Sequence, residues 1–445
     1  MAGFLKEKIE YYRQHWFVRN VATLQVGSFA GNFLQAIIGI FIARILQPEL
    51  FGVYSLAFSM AAMGSIIIGA GMADAMASIL GGAYARDDKD EIKSSLAFLL
   101  KIVIYASLIT IALSPLLPFF AHKWYGDSTI GYLALIILLA AMISSTLFSL
   151  TQIVLQVIQK INILTFINFF DQLIRYGLSL IFVFLGLGVA GAISGHLIGA
   201  MILFAILLFI WKKINLEFIS LPSLRELIVV SRNISIKRYF KFSFWVALDR
   251  NMGNIYMALP VVLVGVYSII EEVTFFKLAF GFVNLALSLL GPISVLLNVE
   301  FPKMQAGSRD KMIYNFIKVS LYSMILSAIL TTGAVVVSPF AFKILYGENF
   351  MPSVKYVYGL IIYGALYGIG VGLGPMWRAV NKVKISIMIN SFILGIGIPV
   401  GLLLIKSYGA WGGVLTVTLW FTLSHFISFI YLARKLNKLS ELSNL

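Results

Sequence analysis

Eight charged residues interrupt the long apolar stretches of this chain: Asp74, Lys101, Asp171, Arg175, Asp249, Arg250, Lys277 and Lys318. In hydrocarbon each such charge costs roughly 3 kcal/mol even on insertion scales, so each needs a reason. Arg250 offers a planar fork that stays protonated and matches phosphate oxygens; Lys277 offers a point cation. Lys277 also follows Glu271 and Glu272, so reaching toward an outer surface is the competing reading. Asp74 and Asp249 are carboxylates that can take up a proton or a cation. The alternative is that they neutralise nearby bases, Asp74 pairing with Arg250 or Lys101. Asp171 and Arg175, four residues apart, can pair on one helix face. Lys101 and Lys318 lie about one turn from the ends of their stretches and can extend toward water.

This chemistry binds and couples; it does not catalyse. There are no cysteines, and the four histidines (His15, His122, His196 and His425) are scattered without a His-x-x-x-His pair. No Gly-x-x-x-x-Gly-Lys-Ser/Thr phosphate loop occurs. No catalytic residue, metal site or cofactor is therefore expected, and any driving force must come from an ion gradient or from concentration differences.

Polar side chains recur around these charges at helical spacing. Gln25, Ser28, Asn32, Gln35 and Gly39 form one stripe, and Lys277, Gly281, Asn284, Ser288 and Gly291 another. Asp249, Arg250, Asn251 and Asn254 cluster below Pro260, where a kink is expected. Such stripes are costly against lipid, so they turn inward, either to line a cavity or to pack helix on helix. The candidate substrate-binding residues are Arg250, Lys277, Asn32, Gln35, Asn254 and Asn284; the candidate ion-coupling residues are Asp74 and Asp249. The glycines of "YGIGVGLGP", with Gly364 before them and Pro375 at their end, permit close packing or bending.

The elements that must position these groups are membrane helices. The 445 residues are 60% hydrophobic and only 12% charged, with a mean hydropathy of +0.94. A soluble domain carries roughly 25% charge. Apolar runs of about 20 residues follow one another, the length a helix needs to span a bilayer. Helices satisfy their own backbone groups in lipid, and the alternation of barrel strands is absent. Twelve transmembrane helices are predicted. The basic, aromatic start reads as a retained interfacial segment.

Loops on the N-terminal side of the membrane hold 24 of the 34 Lys and Arg, whereas the opposite loops hold five. Positive loops stay inside, which predicts a multi-pass protein of the cytoplasmic membrane with both termini cytoplasmic. The net charge of +15 then reflects topology and attraction to anionic lipid rather than nucleic-acid binding. The expected organisation is a basic interfacial segment over 1–21, a first lobe over 22–211, a basic linker over 212–241, a second lobe over 242–433 and a tail over 434–445. Within the linker, Ser223-x-x-Glu226 is a capping-box pattern opening a basic amphipathic helix.

The two lobes echo one another. "ARILQPELFGVYSLAFS" (43–59) returns as "VYSIIEEVTFFKLAFGF" (266–282), with Glu49, Leu56, Ala57 and Phe58 matching Glu271, Leu278, Ala279 and Phe280 at a separation of 222. At the same offset Asp88-Lys89 meets Asp310-Lys311, Lys160 meets Lys382 and Asn168 meets Asn390. One residue less aligns Tyr125-Gly126-Asp127 with Tyr346-Gly347-Glu348, and Gly188 and Gly191 with Gly409 and Gly412. Six helices separate equivalent points, an even number, so both halves enter the membrane the same way round. The fold class predicted is all-α: two parallel six-helix lobes related by a pseudo-two-fold along the membrane normal.

The joint "ARILQPELFGVYSLAFS" and the later "LGGAYARDDKDEIKSSLAF" resemble the start of the polysaccharide-transport (oligosaccharide flippase) family, within the multidrug/oligosaccharidyl-lipid/polysaccharide exporter superfamily. The resemblance covers essentially the whole chain. It implies a V-shaped pair of bundles around a central cavity, and flipping of an isoprenoid-diphosphate-linked oligosaccharide for surface glycan assembly. It also implies an acidic-basic pair on the seventh helix, for which "ALDRNMGN" offers Asp249-Arg250. The expected partners are the lipid-linked substrate, membrane lipids and the glycan polymerase or ligase machinery. The alternative is an ion-coupled small-molecule antiporter of the same superfamily. Cationic drugs favour an acidic cavity, yet five bases lie within the spans against three acids. A membrane glycosyltransferase is disfavoured because the outer loops are too short to carry catalytic residues.

Overall fold

The computed structural model describes residues 16–66, 72–218, 221–307 and 309–441. Among these residues every regular element is a helix. In chain order the helices are α1 (Trp16–Ser65), α2 (Met72–Ala85), α3 (Lys89–Leu113), α4 (Leu116–Tyr125), α5 (Ser128–Val157), α6 (Ile161–Phe184), α7 (Gly188–Glu217), α8 (Leu224–Asn233) and α9 (Lys237–Tyr267). They continue as α10 (Ile270–Leu287), α11 (Gly291–Gly307), α12 (Arg309–Ala341), α13 (Ser353–Gly359), α14 (Ile361–Tyr367), α15 (Leu373–Ala379), α16 (Val383–Tyr408) and α17 (Ala410–Glu441).

Nine of the described helices are long and apolar enough to cross a membrane, and the pair Glu348–Gly359 and Ile361–Ala379, bent by 53°, forms a tenth span. Pro48 breaks α1: it lacks an N–H and crowds the preceding turn, and Gln47 leaves helical geometry at φ 61°. The 31-residue α9 is long enough to cross a membrane, but the polar run around Asp249 lowers its hydropathy and it is not among these spans. Pro260 lies inside α9, which the chain continues as one helix on both sides of it. Phe184, Phe209, Val336 and Phe340 are each at least 70% exposed, a surface suited to hydrocarbon rather than water.

The repeat is visible in the backbone. Gln159 and Asn381 both take positive φ, 58° and 53°, and the next residue's amide closes the turn: Lys160 N–H to Leu155 O and Lys382 N–H to Trp377 O, each 2.9 Å. Gly188 and Gly409 then turn the α6–α7 and α16–α17 hairpins at φ 55° and 56°. Each hairpin packs its two helices closely along their length. Gly191 and Gly412 let each hairpin close, since a β-carbon there would strike the preceding helix.

By contact the described chain forms two compact units. One runs up to Ile45 and over Gly64–Phe119 and Tyr132–Ala247; the other covers Leu46–Met63, Phe120–Gly131 and Leu248 onward. The first has a core built on Leu96, Phe98, Leu99, Leu150, Leu203 and Leu207, which the linker helix α8 joins through fully buried Leu227. Ser223 and Glu226 make the reciprocal capping box that starts α8. The second core gathers Phe301, Met312, Phe316, Met376 and Trp377.

The second unit also contains the first repeat's joint, which packs on the joint of the second repeat. Thr274 Oγ1 donates to Pro48 O at 2.5 Å, Asn349 Nδ2 donates to Gln47 Oε1 at 2.7 Å, and Tyr125 OH donates to Val262 O at 3.3 Å. The glycine-rich segment near 368 packs closely: Gly364 and Gly368 lie directly on Thr331 and Ser323 of α12, while the bend of this span lies ahead of these glycines, at Leu360. Ser327 Oγ bridges across, donating to Ala365 O at 2.8 Å and accepting Gly368 N–H at 3.0 Å.

Candidate functional site

A cavity of about 200 Å³ lies within the second unit. Four segments wall it, and three of them use the same helical spacing. Helix α9 contributes Asp249, Met252, Gly253 and Tyr256; the turn leading into α15 contributes Gly370, Leu373, Gly374 and Trp377; α17 contributes Phe421, Ser424, His425 and Ser428. In each set the residues stand at i, i+3, i+4 and i+7, one face of a helix. Ser386 and Asn390 of α16, four residues apart, complete the wall.

The polar groups of this wall converge. Ser424 Oγ donates to Asn390 Oδ1 at 2.6 Å, and Asn390 Nδ2 donates to Ser386 O at 3.0 Å. Ser386 lies within hydrogen-bonding reach of the Asp249 carboxylate, and Arg378 is close enough to act on its charge. Gly370 leaves room for the His425 ring, which a β-carbon there would approach to 2.5 Å. The buried Nδ1 of His425 has no hydrogen-bond partner among the described residues. The same histidine borders a second cavity of about 280 Å³ with Ser288, Ser294 and Tyr367. One carboxylate surrounded by amide and hydroxyl oxygens suits a proton or a hard monovalent cation. It does not suit a transition metal, and among the described residues no three His, Cys, Asp or Glu side chains gather.

The structure distributes the expected site residues over several faces. Asp249 faces the cavity, while Arg250 and Asn254 are exposed on α9, and Asn254 donates to Asn251 Oδ1 at 3.4 Å. Lys277 is half-buried on α10 with no ion pair or hydrogen bond to a described residue. Asn284, two turns on, accepts from Tyr363 OH at 2.7 Å and donates to Phe280 O at 2.8 Å. Asn32 is exposed on α1, and Gln35 Nε2 donates to Tyr176 OH at 2.5 Å. Asp74 belongs to α2, but its side chain lies outside the described ones.

Gln35 thereby joins a cluster in the first unit. Tyr176 stands edge-on to His196, ring centroids 4.8 Å apart, and the neighbouring Arg175 pairs with Asp171 at 2.5 Å. Of the two lysines near span ends, Lys318 lies over the Tyr314 and Tyr322 rings at 5.5 and 5.7 Å. Lys101 departs from the expected extension toward water: it donates to Arg232 O and Ile234 O at 3.1 and 2.9 Å, holding the last carbonyls of α8. Sequence reading missed Tyr256, Ser386, Asn390, Ser424, His425 and Ser428 as one site. The signal available was the i, i+3, i+4, i+7 series of "FTLSHFIS" together with Ser386 and Asn390 at i, i+4.

Residues 17–306 match the family model described as polysaccharide biosynthesis protein. The chain belongs to that family. The chain also superposes on an inward-facing multidrug resistance MATE family transporter of the MOP superfamily, with a TM-score of 0.72 and 14% identity over 92% of this chain and 95% of the other. An outward-facing MATE transporter of the same superfamily aligns at TM-score 0.65 and 14% identity over 95% and 96% of the two chains. A eukaryotic MATE transporter aligns at 0.64 and 16% identity over 95% and 99%. At these identities the likeness establishes the fold. No curated protein matches the chain. The chain is thus a multi-pass membrane protein of a polysaccharide biosynthesis family, with the fold seen in MATE transporters.

Proposed function

We propose that the transporter moves an isoprenoid-diphosphate-linked oligosaccharide across the cytoplasmic membrane by alternating access of two lobes, residues 22–211 and 242–433, with both termini cytoplasmic. The observation that carries this reading is the match of residues 17–306 to a polysaccharide biosynthesis family. The site chemistry supports it. A diphosphate headgroup needs cations that remain available, and Lys277 makes no ion pair with a described residue. Arg250 adds an exposed guanidinium on α9. Asn32, Gln35, Asn254 and Asn284 supply amide groups suited to sugar hydroxyls. In this reading glycan polymerases or ligases use the product.

The cavity of about 200 Å³ at Asp249 is too small for a glycan, and we assign it to the coupling proton or cation. Asp74 is the second candidate for that role. The same cavity favours one competing reading, a small-molecule antiporter driven by that ion.

The test is translocation of lipid-linked oligosaccharide in proteoliposomes, comparing wild type with Arg250→Ala and Lys277→Ala. Loss of flipping in folded variants is the expected result. Normal flipping by both variants removes the cation assignment while leaving the transporter reading intact. Exchange of a small cation for protons, with no lipid movement, favours the antiporter.

A further inference from the structure

The linker helix α8 buries one face, Leu227 and Ser231, against the first unit. Its opposite face carries Arg225, Ile228, Val229 and Arg232, the i, i+3, i+4, i+7 series of a second stripe. Ile228 and Val229 are 48% and 56% exposed, and both arginines are exposed beside them. A helix face in water carries polar residues; two β-branched side chains between two guanidiniums is the composition of a helix seated in a lipid interface. The start of α9 repeats the arrangement, with Lys237 and Lys241 exposed alongside Phe240 and Phe244, each 40% exposed.

The position of α8 fits that composition. It lies along α3, itself long and apolar enough to cross a membrane. Glu226 near the start of α8 feels the charge of Lys93, and the carbonyls at its other end accept from Lys101. Lys93 and Lys101 are eight residues apart on α3, about 12 Å of rise, so α8 runs beside the charged end of a membrane span over that distance. The one carboxylate on its exposed side, Glu226, is engaged by the Ser223 N–H at 2.9 Å.

We propose that this face of α8 is a docking surface for anionic phospholipid, with Arg225 and Arg232 on the phosphodiester headgroups and Ile228 and Val229 against the upper acyl chains. Charge complementarity selects this occupant: guanidinium binds phosphate oxygens in pairs, and a polybasic segment gains about 1 kcal/mol per cation near an anionic leaflet. The assignment is independent of which substrate the transporter carries.

The absence of cysteine makes the test direct, because a Val229→Cys variant carries a single thiol for an environment-sensitive fluorophore. The labelled full-length protein is placed in phosphatidylcholine vesicles containing a minority of phosphatidylglycerol, with either lipid spin-labelled in turn as quencher. Spin-labelled phosphatidylglycerol should quench about fivefold more than its share of the bilayer, the enrichment that one well-placed cation gives. Replacing Arg225 and Arg232 by Gln, a residue of similar helix propensity, should return the two quenchers to parity. Water-like emission that neither lipid quenches overturns the proposal. So does equal quenching by the two lipids in the parent, or an enrichment that survives the double substitution. Blue-shifted emission beyond reach of both quenchers also overturns it, and assigns the face to a protein partner.

Discussion

A β-carbon on Gly52 would stand 2.4 Å from the Ile270 carbonyl oxygen, well inside van der Waals contact. These residues belong to the two copies of one repeated joint, so the absence of a side chain on the first copy lets the second lie against it. Gly52→Val should destabilise the joint by about 1–3 kcal/mol, the usual cost of overpacking. Gly333→Ala is the control, since a β-carbon there meets nothing within 4 Å. Denaturation midpoints in detergent should fall for the first variant and hold or rise slightly for the second.

Asp249→Asn keeps the shape of the α9 cavity and removes its charge. With a proton or sodium gradient imposed, transport by this variant should fall about tenfold, the equivalent of about 1.4 kcal/mol of lost coupling. Exchange without a gradient should change little. Equal gradient dependence in variant and wild type would show that the carboxylate only neutralises Arg378.

The Asp171–Arg175 pair is largely buried, its side chains 17% and 18% exposed. Asp171→Ala leaves the guanidinium uncompensated and should cost about 3 kcal/mol or more. Replacing both residues by Leu should recover most of that loss. Thermal stability of the single and double variants decides between a structural and a transport role for the pair.

Acid should loosen the linker helix. The Ser223 N–H first, and the charge of Lys93 second, hold the Glu226 carboxyl below its ordinary value. A group whose folded pKa is depressed contributes above its unfolded value and loses that contribution as pH falls through the folded one. Hydrogen exchange in α8 should therefore speed up, relative to the intrinsic rate, as pH drops below about 4.3. Glu226→Gln should abolish this dependence, because the amide oxygen still accepts from Ser223 N–H. Ser223→Ala should weaken the cap by about 1 kcal/mol at every pH.

The helical spans, the joint at Pro48 and the spacing of the repeat were all determined by sequence. Hydrocarbon forces each span to satisfy its own backbone, and proline and glycine act on the residues beside them. Gln159 and Asn381 share a backbone conformation at the offset that Lys160 and Lys382 already marked.

Which face of each helix turns inward was decided only by the tertiary structure. Asp249 and Arg250 are neighbours in the chain, yet a helical step of about 100° sends one into the cavity and leaves the other exposed. Lys101 lies near a span end, as Lys318 does, but it holds α8 because the linker returns beside α3. The Asp249 cavity needs one face from each of four segments spread over nearly 180 residues. Spacing within each segment reveals its stripe, but only packing brings the four stripes together.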